Sequence, residues 1–190
     1  MAQSAEQMTG FQRFIYKRYN YRQFVGIAYI FVVSFLGRTT ETLFYIGLAL
    51  LVVGELIRMW ASGHVKKNKV LATDGPYSFV RHPLYVGNFL IMVGVALAAN
   101  LWWAIPLLVL FWVAFYPHTI AYEDNKLHQT FGEQWEQWSK ERNALVPKPG
   151  LFKQFQKGEW SFAQSLKVNG EPVIAAILLG CMYVMWINMS

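Results

Sequence analysis

The sequence predicts an all-α, polytopic membrane protein with about five transmembrane helices, and three observations carry that reading. Apolar residues make up 55% of the 190-residue chain, 17% of it is aromatic and only 15% is charged, proportions that do not suit a water-exposed surface. The apolar residues fall in long runs separated by polar connections. The Lys and Arg residues gather in every second connection, as membrane topology requires.

The net charge of +6 needs no nucleic-acid partner, because basic residues between apolar runs can meet anionic headgroups. The single cysteine, Cys181, lies inside an apolar run, so no internal disulfide and no cysteine-based metal site is expected. Nothing in the sequence points to an obligate protein partner; the expected partners are the bilayer and a lipophilic ligand.

Residues 1–22 carry Arg13, Lys17, Arg18 and Arg22 among Phe11, Phe14, Ile15, Tyr16 and Tyr19. That mixture suits an amphipathic helix on a membrane surface better than a cleaved signal. The first span is expected over Phe24–Leu36 and the second from about Thr42 to Ala61, joined by Arg38-Thr39-Thr40-Glu41 as antiparallel neighbours. The second span contains Glu55 and Arg58, one helical turn apart, which could neutralise each other or mark a functional site.

Tyr85 to Tyr122 is almost continuously apolar for 38 residues, far more than the ~30 Å bilayer core needs at about 1.5 Å per residue. The run must fold back, and Asn100 before Trp102-Trp103 is the expected bend, with Pro106 near the start of the returning helix. His82 and Glu123 would then return to the same side of the membrane. Tyr122–Arg142 reads as a polar helix with Leu127, Phe131, Trp135 and Trp138 along one face. A connector over 143–170 follows, and a last span runs from about Pro172 to Ile187. We read residues 1–190 as one membrane-embedded domain, with the core of its chemistry in 60–147 and the C-terminal span in 172–188.

Segments 1–22, 63–83 and 118–171 hold four, four and seven Lys or Arg, whereas the alternate connections hold only Arg38. Five spans with a cytoplasmic N-terminus satisfy this distribution. The polar insert between the second and third spans would face the cytoplasm, in an inner membrane if the cell is bacterial.

That insert is the candidate site. Gly75-Pro76 signals a turn, and Pro83 suits the first turn of a helix, where its missing N–H needs no partner. Arg81 and His82 would precede that helix, and a guanidinium, an imidazole and unpaired helix N–H groups together favour an anionic ligand group. The alternative is a basic loop anchored at the headgroups.

Gly75-Pro76-Tyr77, Arg81-His82-Pro83-Leu84-Tyr85, then Glu123-Asp124-Asn125-Lys126-Leu127 and Phe131-Gly132-Glu133-Gln134-Trp135, with Pro147 beyond, resemble the isoprenylcysteine carboxyl methyltransferase and phospholipid methyltransferase superfamily. The resemblance covers roughly residues 60–147 and implies an S-adenosyl-L-methionine site. It places cofactor contacts on the Lys69, Val70, Leu71 and Ala72 backbone, on Tyr77, on His82, Pro83, Leu84 and Tyr85, and on Glu123 with Asp124. His82 and the helix start suit the cofactor carboxylate, Glu123 its ammonium, and the face of Tyr77 or Tyr85 its sulfonium. Arg81, His82, Asn88 and Arg58 are the candidate catalytic residues, the last two as partners for the head of a lipidic or small apolar methyl acceptor.

Two departures bear on the acceptor. Where prenylcysteine enzymes carry an arginine a turn before the acidic motif, this chain has His118-Thr119, and the second acid of the pair is Asp124. Gly87 and Gly94 form a low-relief stripe that could pack closely against a neighbour or leave room for an acyl or prenyl chain. Membrane steroid reductases, which use NADPH, share the His-Pro-x-Tyr-x-Gly pattern but usually follow it with an acid where Asn88 stands. A non-enzymatic scaffold would leave the polar insert unexplained.

Overall fold

In the computed structural model the described residues are 10–65, 70–151, 155–168 and 170–189. They contain six α-helices and no strand. These are α1 (Gly10–Leu36), α2 (Glu41–His64), α3 (Pro83–Ala99), α4 (Ala104–Phe131), α5 (Glu133–Lys140) and α6 (Glu171–Ile187), with a 3-10 turn over Gly75–Ser78 and a π-helical turn over Gln164–Val168. Two of them, α2 and α4, are long and apolar enough to cross a membrane, and the Tyr21–Leu36 part of α1, α3 and α6 are shorter apolar helices.

The boundaries follow local chemistry. Helix α3 begins at Pro83 with His82 as its N-cap, as expected from the missing proline donor. It ends on Asn100, whose backbone is left-handed at φ 52° and ψ 41°, a conformation that asparagine tolerates better than most residues. The bend expected at Asn100 is therefore present, and α4 carries Pro106 in its first turn. At this end of the bundle the Arg38 N–H donates to the Ala99 carbonyl at 2.8 Å and the Asn100 amide to the Arg38 carbonyl at 3.2 Å. These bonds latch the α1–α2 turn to the α3–α4 turn.

Two expectations are corrected. A single helix runs from Gly10 to Leu36, so the described part of the basic N-terminal segment continues into the apolar run without a break near residue 22. The polar helix expected over Tyr122–Arg142 is interrupted at Gly132, whose φ of 54° and ψ of −127° end α4 before α5 begins. Glycine is the residue that adopts such a backbone readily.

The closest helix pair is α2 against α3, and glycines set its spacing. A Cβ on Gly94 would lie 2.5 Å from the Gly47 carbonyl, and one on Gly87 would lie 2.6 Å from the Gly54 carbonyl. The Gly87–Gly94 stripe is thus filled by the backbone of α2 and offers no groove for an acyl or prenyl chain, the close-packing use of small residues between membrane helices. Around this pair Tyr29, Val33, Phe44, Leu51, Val95, Leu108, Met182 and Met185 form the main core. The outward faces remain apolar at Phe24, Leu56, Leu110, Val113 and Leu179, all more than half exposed. Such a surface is suited to lipid rather than water.

Candidate functional site

The polar insert folds against α5 and the segment that follows it. Tyr77, in the 3-10 turn, is buried with Leu71, Ala61 and Trp138, and Ala72, Leu84, Leu127, Phe131 and Trp135 pack around them. All four residues of the predicted Leu127-to-Trp138 face therefore belong to one cluster. Val70 is exposed, whereas Leu71 is buried, so the two point to different surroundings. Lys69 lies outside the described residues.

The loop is held in place by bonds to chain that comes later. The Arg81 and His82 N–H groups donate to the Asn143 and Ala144 carbonyls at 3.0 Å each. The buried Arg142 donates from Nε to the Ser78 carbonyl and from Nη1 to the Trp138 carbonyl, both at 3.1 Å. Gly75 N–H reaches the Gln156 carbonyl at 2.7 Å, and Phe155 stacks on Phe79 with ring centroids 5.7 Å apart.

His82 and the acidic pair meet as the hairpin geometry requires. His82 Nε2 lies 2.9 Å from Asp124 Oδ1, and its Nδ1 lies 3.6 Å from Glu123 Oε2. Arg81 donates to Asp124 Oδ2 at 2.9 Å and to the Arg142 carbonyl at 2.7 Å. Burial alone would lower the His82 pKa, but the hydrogen bonds to Asp124 and Glu123 outweigh it and hold the pKa above the ordinary imidazole value. The two carboxylates thus favour the imidazolium more than water does. The Tyr77 phenol is pushed up, first by burial and then by the nearby Glu123 and Glu171 charges, so it stays a neutral donor.

A second charged cluster sits farther along α2 and α3. Arg58 donates from Nε and Nη2 to Glu171 at 3.0–3.2 Å, and its Nη1 bonds Asn88 Oδ1. Glu55 is the weaker partner, 3.7 Å from Arg58 Nε. The Glu55–Arg58 pair seen in the sequence is therefore dominated by a third residue, and Arg58 and Asn88 are engaged with each other rather than open to a ligand.

Aromatic rings join the two clusters. Tyr85 stacks on His82 at 5.3 Å and meets Tyr116 edge-on at 5.2 Å, and the Asn88 amide reaches the Tyr116 hydroxyl at 3.5 Å. The buried Arg22 of α1 lies over the Tyr85 and Tyr116 rings at 4.8 and 5.6 Å. Sequence reasoning singled out Arg58, Asn88, His82, Tyr85, Glu123 and Asp124 but missed Arg22, Tyr116, Arg142 and Glu171 as contributors. Glu171 was the legible one: an acid immediately before Pro172 at the start of an apolar run is a helix-start signal at the edge of a span.

Fold and site together define an all-α protein of membrane character whose buried charges gather around one loop and the helix ends beside it. Residues 42–134, which take in α2, the loop, α3, α4 and the start of α5, match the family model for phospholipid methyltransferase. The match takes in 93 of the 190 residues, so that stretch is similar to this methyltransferase family. It is 34% identical over 118 residues to the nickel-cobalt-cadmium resistance protein NccN of Alcaligenes xylosoxydans xylosoxydans, covering 57% of this chain and 55% of the relative. It is 33% identical over 114 residues to the cobalt-zinc-cadmium resistance protein CzcN of Cupriavidus metallidurans, covering 59% and 51% respectively. The protein-S-isoprenylcysteine O-methyltransferase of Schizosaccharomyces pombe is 34% identical over 84 residues, 43% of this chain and 36% of that one. The chain thus spans about half the length of the first two relatives. No solved structure matches it significantly.

Proposed function

We propose that the protein is an S-adenosylmethionine-dependent methyltransferase acting on a membrane-partitioned lipidic or small apolar acceptor at the cytoplasmic face. The single observation that carries this reading is the family match over 42–134 together with the placement, inside that stretch, of His82 beside Glu123 and Asp124. When bound, the cofactor supplies an electrophilic methyl group on a sulfonium. The residues present fit it. The indole N–H groups of Trp135 and Trp138 are buried without a hydrogen-bond partner in the apolar cluster around Tyr77, a setting that suits a flat heterocycle with acceptor nitrogens.

In this reading Glu123 receives the cofactor ammonium and the α3 N-terminus its carboxylate, with His82 orienting the two acids. Arg81 and Asp124 hold His82 in position. Tyr77 presents its ring to a cation and Tyr85 helps to exclude water, so that positioning and desolvation lower the barrier of an in-line displacement. The distribution of basic residues supports five spans, with the Tyr21–Leu36 part of α1, α3 and α6 as the shorter three, and a cytoplasmic N-terminus and site.

Isothermal calorimetry on the purified chain tests the proposal. Binding of S-adenosylmethionine or S-adenosylhomocysteine is expected; binding of NADPH with neither of these would overturn it.

A further inference from the structure

We propose that the end of the helix bundle remote from His82 binds an anionic phospholipid, with the phosphodiester on Arg38 and an acyl chain in the cavity beside it. That cavity, of about 640 Å³, lies between the α1–α2 turn and the α3–α4 turn. It has the size of a small-molecule site and is far larger than a packing defect. Helix α3 runs for 17 residues between His82 and this end, about 25 Å of helix, so the cavity is separate from the candidate cofactor site.

Its lining has two parts. Leu36, Leu43, Leu97, Leu101 and Ile105 make an apolar wall, and Leu36 and Ile105 are 57% and 39% exposed, so the wall reaches the outward surface of the bundle. Among the described residues that line the cavity, Arg38 is the charged one. Its side chain is exposed and has no hydrogen bond, ion pair or ring contact among the described residues. Its backbone, in contrast, is held at both ends, by the N–H bond to Ala99 and by the Asn100 amide on its carbonyl. The guanidinium is therefore a cation without a protein partner, carried on a fixed point at the cavity edge. Glu41, three residues on, is exposed as well but does not line the cavity. Asn100 keeps a second amide hydrogen, and Trp102, 87% exposed, brings an indole N–H to the same rim.

A planar guanidinium in this state is complementary to phosphate, to which it donates in a charge-assisted fork. The apolar wall selects the source of that phosphate. A free anion gains nothing from five aliphatic side chains, whereas a phospholipid lays a chain against them while its phosphate meets Arg38. The single cation selects the class of lipid, because a zwitterionic head already carries an ammonium beside its phosphate and gains less from a second positive charge. Arg38 is the only Lys or Arg in the connections expected at this end, so the selectivity rests on one side chain.

The test irradiates the full chain in dodecyl maltoside micelles containing a phosphatidylglycerol with a diazirine in one acyl chain, and maps the label by mass spectrometry of peptides. Label is expected to concentrate on residues 36–43 and 96–105. Excess dioleoyl-phosphatidylglycerol should suppress it, and the same amount of dioleoyl-phosphatidylcholine should do so far less. Arg38→Gln should cut labelling of these peptides about fivefold or more, and Arg38→Lys, which keeps the charge, by less. Lys140→Gln, which removes an exposed cation from α5, should leave it unchanged. Leu43→Trp fills the cavity with Arg38 in place and should also reduce labelling, so the comparison survives if Arg38→Gln fails to fold. Label spread evenly over the outward faces of the helices, equal suppression by the two lipids, or equal labelling of wild type and Arg38→Gln would overturn the proposal. Suppression by an equal concentration of glycerol 3-phosphate would mean a site for a free anion and would overturn the lipid assignment.

Discussion

His82 Nε2 lies 2.9 Å from Asp124 Oδ1, although the two residues are 42 positions apart and separated by an entire helical hairpin. The contact fixes the start of α3 to the polar end of α4, and the 3.6 Å approach of His82 Nδ1 to Glu123 completes a three-residue arrangement whose charge state depends on pH.

The first prediction concerns that dependence. The folded-state pKa of His82 is raised above 6.5, so its protonated form contributes stability that is fully present below that value and is lost as pH rises through the raised one. Thermal unfolding in detergent should show a decline in midpoint across this alkaline-going window. His82→Asn should flatten it.

Glu123→Gln should weaken S-adenosylmethionine binding by about 2–5 kcal/mol, the range for breaking a partly buried charge pair. Glu133→Gln, on the exposed start of α5, should change affinity by less than about 0.5 kcal/mol. Calorimetric titration distinguishes the two, and equal small effects would mean that Glu123 does not hold the ligand.

Arg58→Met should destabilise the fold by about 3–5 kcal/mol, because it strands Glu171 in a buried site. Adding Glu171→Leu should restore much of that loss, since the pair is costly to break but not to replace. Unfolding midpoints of the two single variants and the double variant, arranged as a cycle, measure the coupling.

Gly94→Ala should cost about 1–3 kcal/mol by forcing a methyl against the Gly47 carbonyl. Gly180→Ala, where an added Cβ meets nothing within 4 Å, serves as the control and should be neutral or slightly stabilising. Thermal unfolding of both variants in one detergent reads the difference.

Helix starts and turns were legible in the sequence where a single residue determines them. Pro83 opens α3 and Asn100 closes it, and both follow from backbone rules that need no tertiary partner. The meeting of His82 with the acids followed from the length of the apolar run alone. What the sequence could not assign was the choice among equivalent partners. Arg58 has Glu55 on its own helical face, yet Glu171 takes the shorter bonds from 113 positions away, because α6 delivers it there. The Gly87–Gly94 stripe was visible, but whether helix or lipid filled it depended on Gly47 and Gly54 of α2 standing opposite. Gly132 lies within a helical pattern, and a glycine there signals a break only in context.

The bonds that shape the loop around Tyr77 come from residues 61 to 81 positions downstream, from Arg142 to Gln156. During synthesis, therefore, α2 and the α3–α4 hairpin can be made and inserted while the stretch between α2 and α3 still lacks its later partners. It acquires its final shape only once the segments beyond α5 have been synthesised and docked. The shape of this loop is thus a late event in the life of the nascent chain, and a polypeptide arrested before residue 142 would carry α2, α3 and α4 without the bonds that hold the stretch between α2 and α3.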